Sequence, residues 1–208
     1  MQFWIMNMDF LKFSTLLIFF FCCSCSHEYV RPENYQNPLI SIDTDMGSIT
    51  CELYEDKVPN TVASFITLIE SGFYKDMLVH NITPGIYMQA GCPHTKLGAK
   101  GRPGSGGPGY QIKEEIVEGL SHDSRGVLSM AKRPVPNSTG SQFLVLFDKL
   151  QSLDEKQTVF GKVIKGQEVL DLIEKFGTKN GRPKGEVAFS IKVLRKNDIE
   201  YHFHKIEK

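Results

Sequence analysis

The chain has 208 residues, 41% of them hydrophobic, enough for one domain with a closed core and too few for two generous ones. Its 24 Lys and Arg residues balance 24 Asp and Glu, so the overall charge gives no ground for nucleic acid, an anionic membrane surface or a strongly charged substrate as partner. With 18 glycines and 10 prolines, many of them between residues 84 and 140, the composition favours a loop-rich β protein over a helical bundle.

The first 25 residues read as an export signal. Lys12 precedes an apolar run from Leu16 to Cys23, well short of the roughly 20 residues that span a bilayer. The run ends in Cys22-Cys23-Ser24-Cys25-Ser26, which resembles the site at which bacterial lipoproteins are cleaved and acylated, with Cys25 as the lipidated residue. An ordinary cleaved signal is the alternative, and Met6 or Met8 would serve as a more compact start. Residues 26–38 are polar, contain Pro32 and Pro38, and read as a tether. The expected organisation is therefore a signal over 1–25, a linker over 26–38, a folded domain over 39–196 and an extension over 197–208.

The folded part opens with a hairpin: Leu39, Ile40 and Ile42 lead to the turn Asp45-Met46-Gly47, and Ile49, Cys51 and Leu53 alternate beyond it. Cys51 is expected as a buried strand thiol. Pro59-Asn60-Thr61 starts a helix whose apolar residues Val62, Phe65, Ile66 and Ile69 recur at helical spacing before Gly72. Short apolar stretches follow at residues 86–88, 126–130, 143–147 and 158–163, each bounded by turn residues. A second helix is expected near 168–176, with Val169, Leu172, Ile173 and Phe176 on one face and Gly177 behind it. Residues 187–194 read as a strand, and Ile199, Tyr201 and Phe203 suggest another, which would place His202 and His204 on a common face. Two histidines without a third ligand do not make a metal site. Several short strands and two separated helices point to a mainly β, closed sheet with helices over its ends.

Four stretches in order resemble the cyclophilin family. They are GSITCELYEDKVPNTVASFITL (47–68), VHNITPGIYMQAG (79–91), GVLSMAKRPVPNSTGSQFLVL (126–146) and SLDEKQTVFGKVIKG (152–166), and with residues 104–107 and 176–181 the likeness spans about 39–195. Co-ordered motifs are far more specific than one short pattern. The resemblance implies a closed eight-stranded antiparallel barrel capped by two α-helices, and peptidyl-prolyl cis-trans isomerase activity on proline-containing peptides or unfolded segments. It implies no cofactor and no nucleic acid. A monomer is expected.

Rotation about an X-Pro bond breaks amide resonance across a barrier of about 18–20 kcal/mol and needs no covalent intermediate. A catalyst has to grip the ring, hold the flanking backbone and place a donor at the prolyl nitrogen. In cyclophilins that donor is the arginine of Phe-His-Arg, and here the position holds Asn81, which is shorter and neutral. The family's Phe-Met is Ile86-Tyr87, its later aromatic Leu144, its tryptophan Ser152 or absent and its histidine Gln157, while Gln89, Gly104, Ala131, Gln142 and Leu153 persist. The resemblance thus implies Asn81, Gln89 and Gln142 as catalytic, with Ile86, Tyr87, Gly104, Ala131, Leu144, Leu153 and Gln157 lining the substrate groove. The alternative for Gln89 and Gln142 is that they cap barrel backbone groups and nothing more, and Tyr87 either refills vacated space with its hydroxyl as a donor or simply packs. The glycine-rich segment 101–109 lacks the GK[ST] of a phosphate cradle.

Two function classes follow: an isomerase for exported proteins, slowed at Asn81, or a binding or chaperone module of the cell envelope that keeps the groove and has lost catalysis. A scaffold in an envelope assembly is a third. The signal implies an exported protein held to a membrane through Cys25 in a bacterial envelope or periplasm.

Overall fold

The structure is a computed structural model, and it describes residues 35–206. The expected signal, the lipidation site Cys25 and residues 26–34 of the expected tether lie outside the described residues. The tether's last four residues are held against the domain: Tyr35 donates to Glu55 at 3.0 Å, Asn37 donates to Glu52 at 3.1 Å, and Leu53 N donates to the Pro38 carbonyl at 2.9 Å.

Strands β1 (Leu39–Thr44) and β2 (Gly47–Leu53) pair antiparallel through the two-residue turn Asp45-Met46, as the alternation predicts. Helix α1 (Pro59–Glu70) follows; proline at its first turn loses no helical hydrogen bond, and its exposed N–H groups are met from elsewhere in the chain. Glu115 accepts from Asn60 N at 3.1 Å and from Thr61 N at 2.7 Å. A carboxylate there also suits the positive end of the helix dipole.

Seven further strands complete one sheet: β3 (Met77–Leu78), β4 (Asn81–Thr83), β5 (Tyr87–Ala90), β6 (Val127–Met130), β7 (Phe143–Leu146), β8 (Val159–Lys165) and β9 (Ala188–Arg195). The order across it is β3-β9-β1-β2-β8-β6-β7-β5-β4, antiparallel at every junction. The two outermost pieces, β3 and β4, are separated along the chain only by Val79 and His80. Val79 N donates to Val187 on the β9 side at 3.0 Å and His80 N donates to Gln89 on the β5 side at 3.2 Å, so one bent segment joins both edges. Counted as one, it gives the expected eight strands; counted by its pairing, the sheet has nine. Covalent continuity across the break leaves no long edge for another chain to extend.

Alternation along the strands sorts side chains to two faces. Phe65 on α1 meets Tyr74, Phe143 and Phe160 inside, with ring centroids 4.9, 5.5 and 4.9 Å apart. Helix α2 (Gln167–Glu174) buries Val169, Leu170 and Ile173 against β2 and β4. Leu172, expected on that face, is 42% exposed, because in this short helix it falls to one side of the stripe that touches the sheet. The strand expected over 199–203 is also absent. That stretch begins in a bend, where Ile199 N donates to the Asn197 carbonyl at 2.9 Å, its alternate side chains are partly buried without a ladder partner, and the C-terminal segment rejoins the domain through a bridge between Gln111 and Ile206.

Candidate functional site

Strand register assembles an outward-facing row from residues far apart in the chain. Asn81 on β4 lies opposite Gln89 on β5, Gln89 opposite Leu144 on β7, and Leu144 opposite Ser129 on β6. A second row, two residues along, runs Thr83, Tyr87, Leu146. The inner face of the same strands holds Ile82, Met88, Ala90, Phe143 and Val145, all at or below 1% exposure, so the site is the outer skin of a fully packed wall.

The polar half is a chain of hydrogen bonds. Gln89 Nε2 donates to Gln142 Oε1 at 2.8 Å, and Gln142 Nε2 donates to the carbonyls of Gly104 and Gly106, both at 2.8 Å. The amides of those two glycines approach Cys92 Sγ at 3.2 and 3.3 Å, so the glycine-rich loop is gripped by a glutamine and by a thiol. Gln142 therefore positions the loop, and Gln89 is tied to the loop through it. Gly91 permits the arrangement: its φ is +86°, and a Cβ there would collide with the Ser141 carbonyl. His80 lies under the same loop, its ring 3.4 Å from where a Cβ on Gly104 would stand. Neither ring nitrogen makes a hydrogen bond of good geometry, and burial pushes its pKa down to about 4, an effect partly offset by the nearby Gln142 amide. Asn81 Oδ1 accepts from Thr83 Oγ1 at 3.1 Å, and its carboxamide packs on Gly181, where any Cβ would overlap it.

The apolar half gathers Tyr87, Ala131, Leu144 and Leu153 with Val127, Leu146, Val159 and Leu150 in one cluster distinct from the barrel core. Tyr87 packs as a member of this cluster. Ile86 stays outside it, 37% exposed at the β4–β5 turn, because that turn lifts it off the sheet. Gln157 stands on the loop that carries Leu153: its backbone N donates to Leu153 at 3.2 Å, and its side-chain Oε1 is buried without a hydrogen-bond partner. Ser152, on the same loop, is exposed.

Three residues absent from the sequence-based set hold that loop in place. His122, 1% exposed, places Nδ1 2.8 Å from Asp154 Oδ1 and Nε2 2.8 Å from Ser129 Oγ. Its backbone N also donates to Asp154 Oδ1 at 2.7 Å, and this bond, with the ring's, holds the carboxyl below its ordinary range. The arrangement matches a hydrolytic triad in residue type, yet Ser129 is fully buried and no substrate carbonyl can reach it. It is a tie between β6 and the Leu153 loop. No local motif announces it, because its members come from three separate segments.

Beyond the glutamine pair lies a cavity of about 600 Å³. Of the predicted residues it contains Gln89, Gly104, Ala131 and Gln142, whereas Asn81, Ile86, Tyr87, Leu144, Leu153 and Gln157 stay outside its lining. The expected groove is thus two adjoining compartments, an apolar shelf and a polar cavity, that share Ala131 and adjoin where Gln89 lies opposite Leu144. Elsewhere, Cys51 is buried in β2 as expected, and burial raises its thiol pKa. Among the described residues no three His, Cys, Asp or Glu side chains converge as metal ligands.

Comparison with known proteins agrees with this architecture. The family model for cyclophilin type peptidyl-prolyl cis-trans isomerases matches residues 39–193. The chain is 36% identical over 161 residues to peptidyl-prolyl cis-trans isomerase CYP18-1 of Arabidopsis thaliana, an alignment covering 77% of this chain and 98% of the relative. It is 39% identical over 150 residues to the isomerase-like 3 protein of Rattus norvegicus, covering 71% and 90%. Among solved structures, a cyclophilin type isomerase of Cryptosporidium parvum, crystallised in the presence of the dipeptide Ala-Pro, superposes with a TM-score of 0.68 at 32% identity, over 76% of this chain and 99% of that one.

Proposed function

The chain belongs to the cyclophilin-type peptidyl-prolyl cis-trans isomerase family, and we propose that its outer groove twists X-Pro bonds with catalysis slowed by the neutral residue at Asn81. The observation that carries this is the row Asn81, Gln89, Leu144, set by strand register and flanked by the apolar shelf of Tyr87, Ala131 and Leu153. A proline ring fits the shelf by burial of apolar surface. Gln89 holds the flanking backbone, while Gln142 keeps the glycine loop out of the way. As the bond twists, the prolyl nitrogen regains its lone pair and needs a donor. Asn81 supplies an amide N–H but no charge, and its carboxamide is engaged with Thr83.

Losing one well-placed electrostatic donor costs enzymes about a hundredfold to a thousandfold in rate, which bounds the deficit expected here. An exchange assay on proline tetrapeptides should therefore show slow isomerisation that Asn81→Arg accelerates by about tenfold or more. A rate equal to the uncatalysed one in both proteins overturns the enzymatic reading and leaves a peptide-binding or chaperone module, a role that the missing arginine also suits. The site of action rests on the amino terminus: export and acylation at Cys25 would place the domain at a cell envelope, acting on exported clients.

A further inference from the structure

The cavity beside the glutamine pair carries a charge asymmetry that the proline reading does not use. Its lining includes Lys132 and Arg133 and no Asp or Glu. The two cations are not equivalent. Lys132 is compensated by Glu114 at 3.2 Å. Arg133 makes no ion pair among the described residues; with the Gln111 carboxamide turned so that its nitrogen donates to the Asn137 carbonyl at 3.0 Å, Arg133 Nη2 donates to the Gln111 oxygen at 2.8 Å. A neutral partner aims the guanidinium without cancelling it. The whole chain carries 24 cationic and 24 anionic residues, so the positive cavity is a matter of placement and not of net charge. Backbone geometry holds Arg133 there, since its N donates to Ser138 Oγ at 3.0 Å, Ser138 Oγ lies 3.1 Å from the Arg133 carbonyl it donates to, and Ser138 itself is buried.

We infer that the cavity selects, among proline-containing segments, those carrying a carboxylate side chain near the proline, with Arg133 as the residue that reads it. This deepens the proposed function and rests on it for the position of the proline. Ala131 belongs to both the apolar shelf and the cavity, and Gln89 of the cavity lining lies opposite Leu144 of the shelf, so a peptide seated on the shelf can lay a neighbouring side chain into the cavity. An extended chain advances about 3.3 Å per residue with side chains alternating in direction, so one or two positions should show the effect. A planar guanidinium matches a carboxylate with two parallel hydrogen bonds, a fit no ammonium offers.

The test uses fluorescence anisotropy with labelled peptides built around one Ala-Pro, in which Glu, Gln or Lys is moved through the three positions on each side, together with the isomerisation rate of each. At one or two positions the Glu peptide should bind on the order of fivefold tighter than Gln, and Lys weaker still, with the difference shrinking as salt is raised. Arg133→Gln should abolish that preference and Arg133→Glu should invert it toward Lys. Equal affinity of the three peptides at every position, or a preference that survives in both variants, overturns the inference, and isomerisation by the wild type would then leave the proposed function standing. The converse, a charge preference that vanishes in Arg133→Gln with no acceleration of isomerisation, sustains the inference and removes the enzyme. Failure of every peptide to bind removes both.

Discussion

At the scale of single residues, His80 is the most exposed to solution conditions through what it lacks. Its ring is largely buried beneath the glycine loop, its two nitrogens have no well-formed partner, and its pKa is pushed down to about 4 by burial. An unfolded histidine titrates near 6.5, so between about pH 6.5 and 4 the unfolded chain takes up a proton that the folded chain refuses. Stability is therefore fully present above pH 6.5, falls as pH drops through that window and levels off, for this group, below about 4. The loss should be on the order of 2–3 kcal/mol in urea unfolding between pH 7 and 4.5, and His80→Leu should flatten the dependence. An unchanged pH profile in that variant would place the titration elsewhere. Asn81 shows the opposite situation: its identity is plain in the chain, and the register places it opposite Gln89.

Among the elements, β7 and the loop after it explain why the outer face can bind anything. Phe143 and Val145 enter the barrel core while Leu144 and Leu146 enter the outer cluster, so the strand is buried on both faces and its sequence reads as an unbroken apolar run. A continuous run of that kind hides which residues face the groove; only register separates them. The outer cover depends on the loop bearing Leu153 and Gln157, and His122 is its anchor. Replacing His122 with alanine removes a buried ring and strands Ser129 Oγ, while the Asp154 carboxylate keeps its bond from the backbone N of residue 122, and the change should cost about 2–4 kcal/mol in chemical unfolding. Because the loop forms one wall of the shelf, the same variant should raise KM for proline peptides more than it lowers kcat. Wild-type stability together with an unaltered KM would show that the loop is held by its apolar contacts alone. A milder loss is expected for Ser129→Ala, since one hydrogen bond is deleted and the ring stays.

For the molecule as a whole, the described residues make one domain, and the expected export signal adds a prediction about the mature chain. Mass spectrometry of the protein recovered from a bacterial membrane fraction should find residue 25 as the first residue, with acyl chains attached to Cys25. An unmodified first residue, or retained Met1, would remove the anchor. What the amino-acid sequence determined unaided was whatever depends on neighbours along the chain: the Leu39–Leu53 hairpin with its two-residue turn, α1 from Pro59 and the short strands between turn residues. What only the tertiary structure decided was whatever depends on register between distant strands. That includes the bent segment that closes the sheet, the bond from Gln89 to Gln142, the tie from His122 to Ser129 and Asp154, the exposure of Ile86 and Leu172, the missing strand at 199–203, and the placement of Arg133 in the cavity lining with neutral Gln111 as its partner. Local periodicity is set by bonds of 3.6 or 2 residues per repeat, whereas a site made from four strands exists only after their relative sliding has been settled by the packing of both faces.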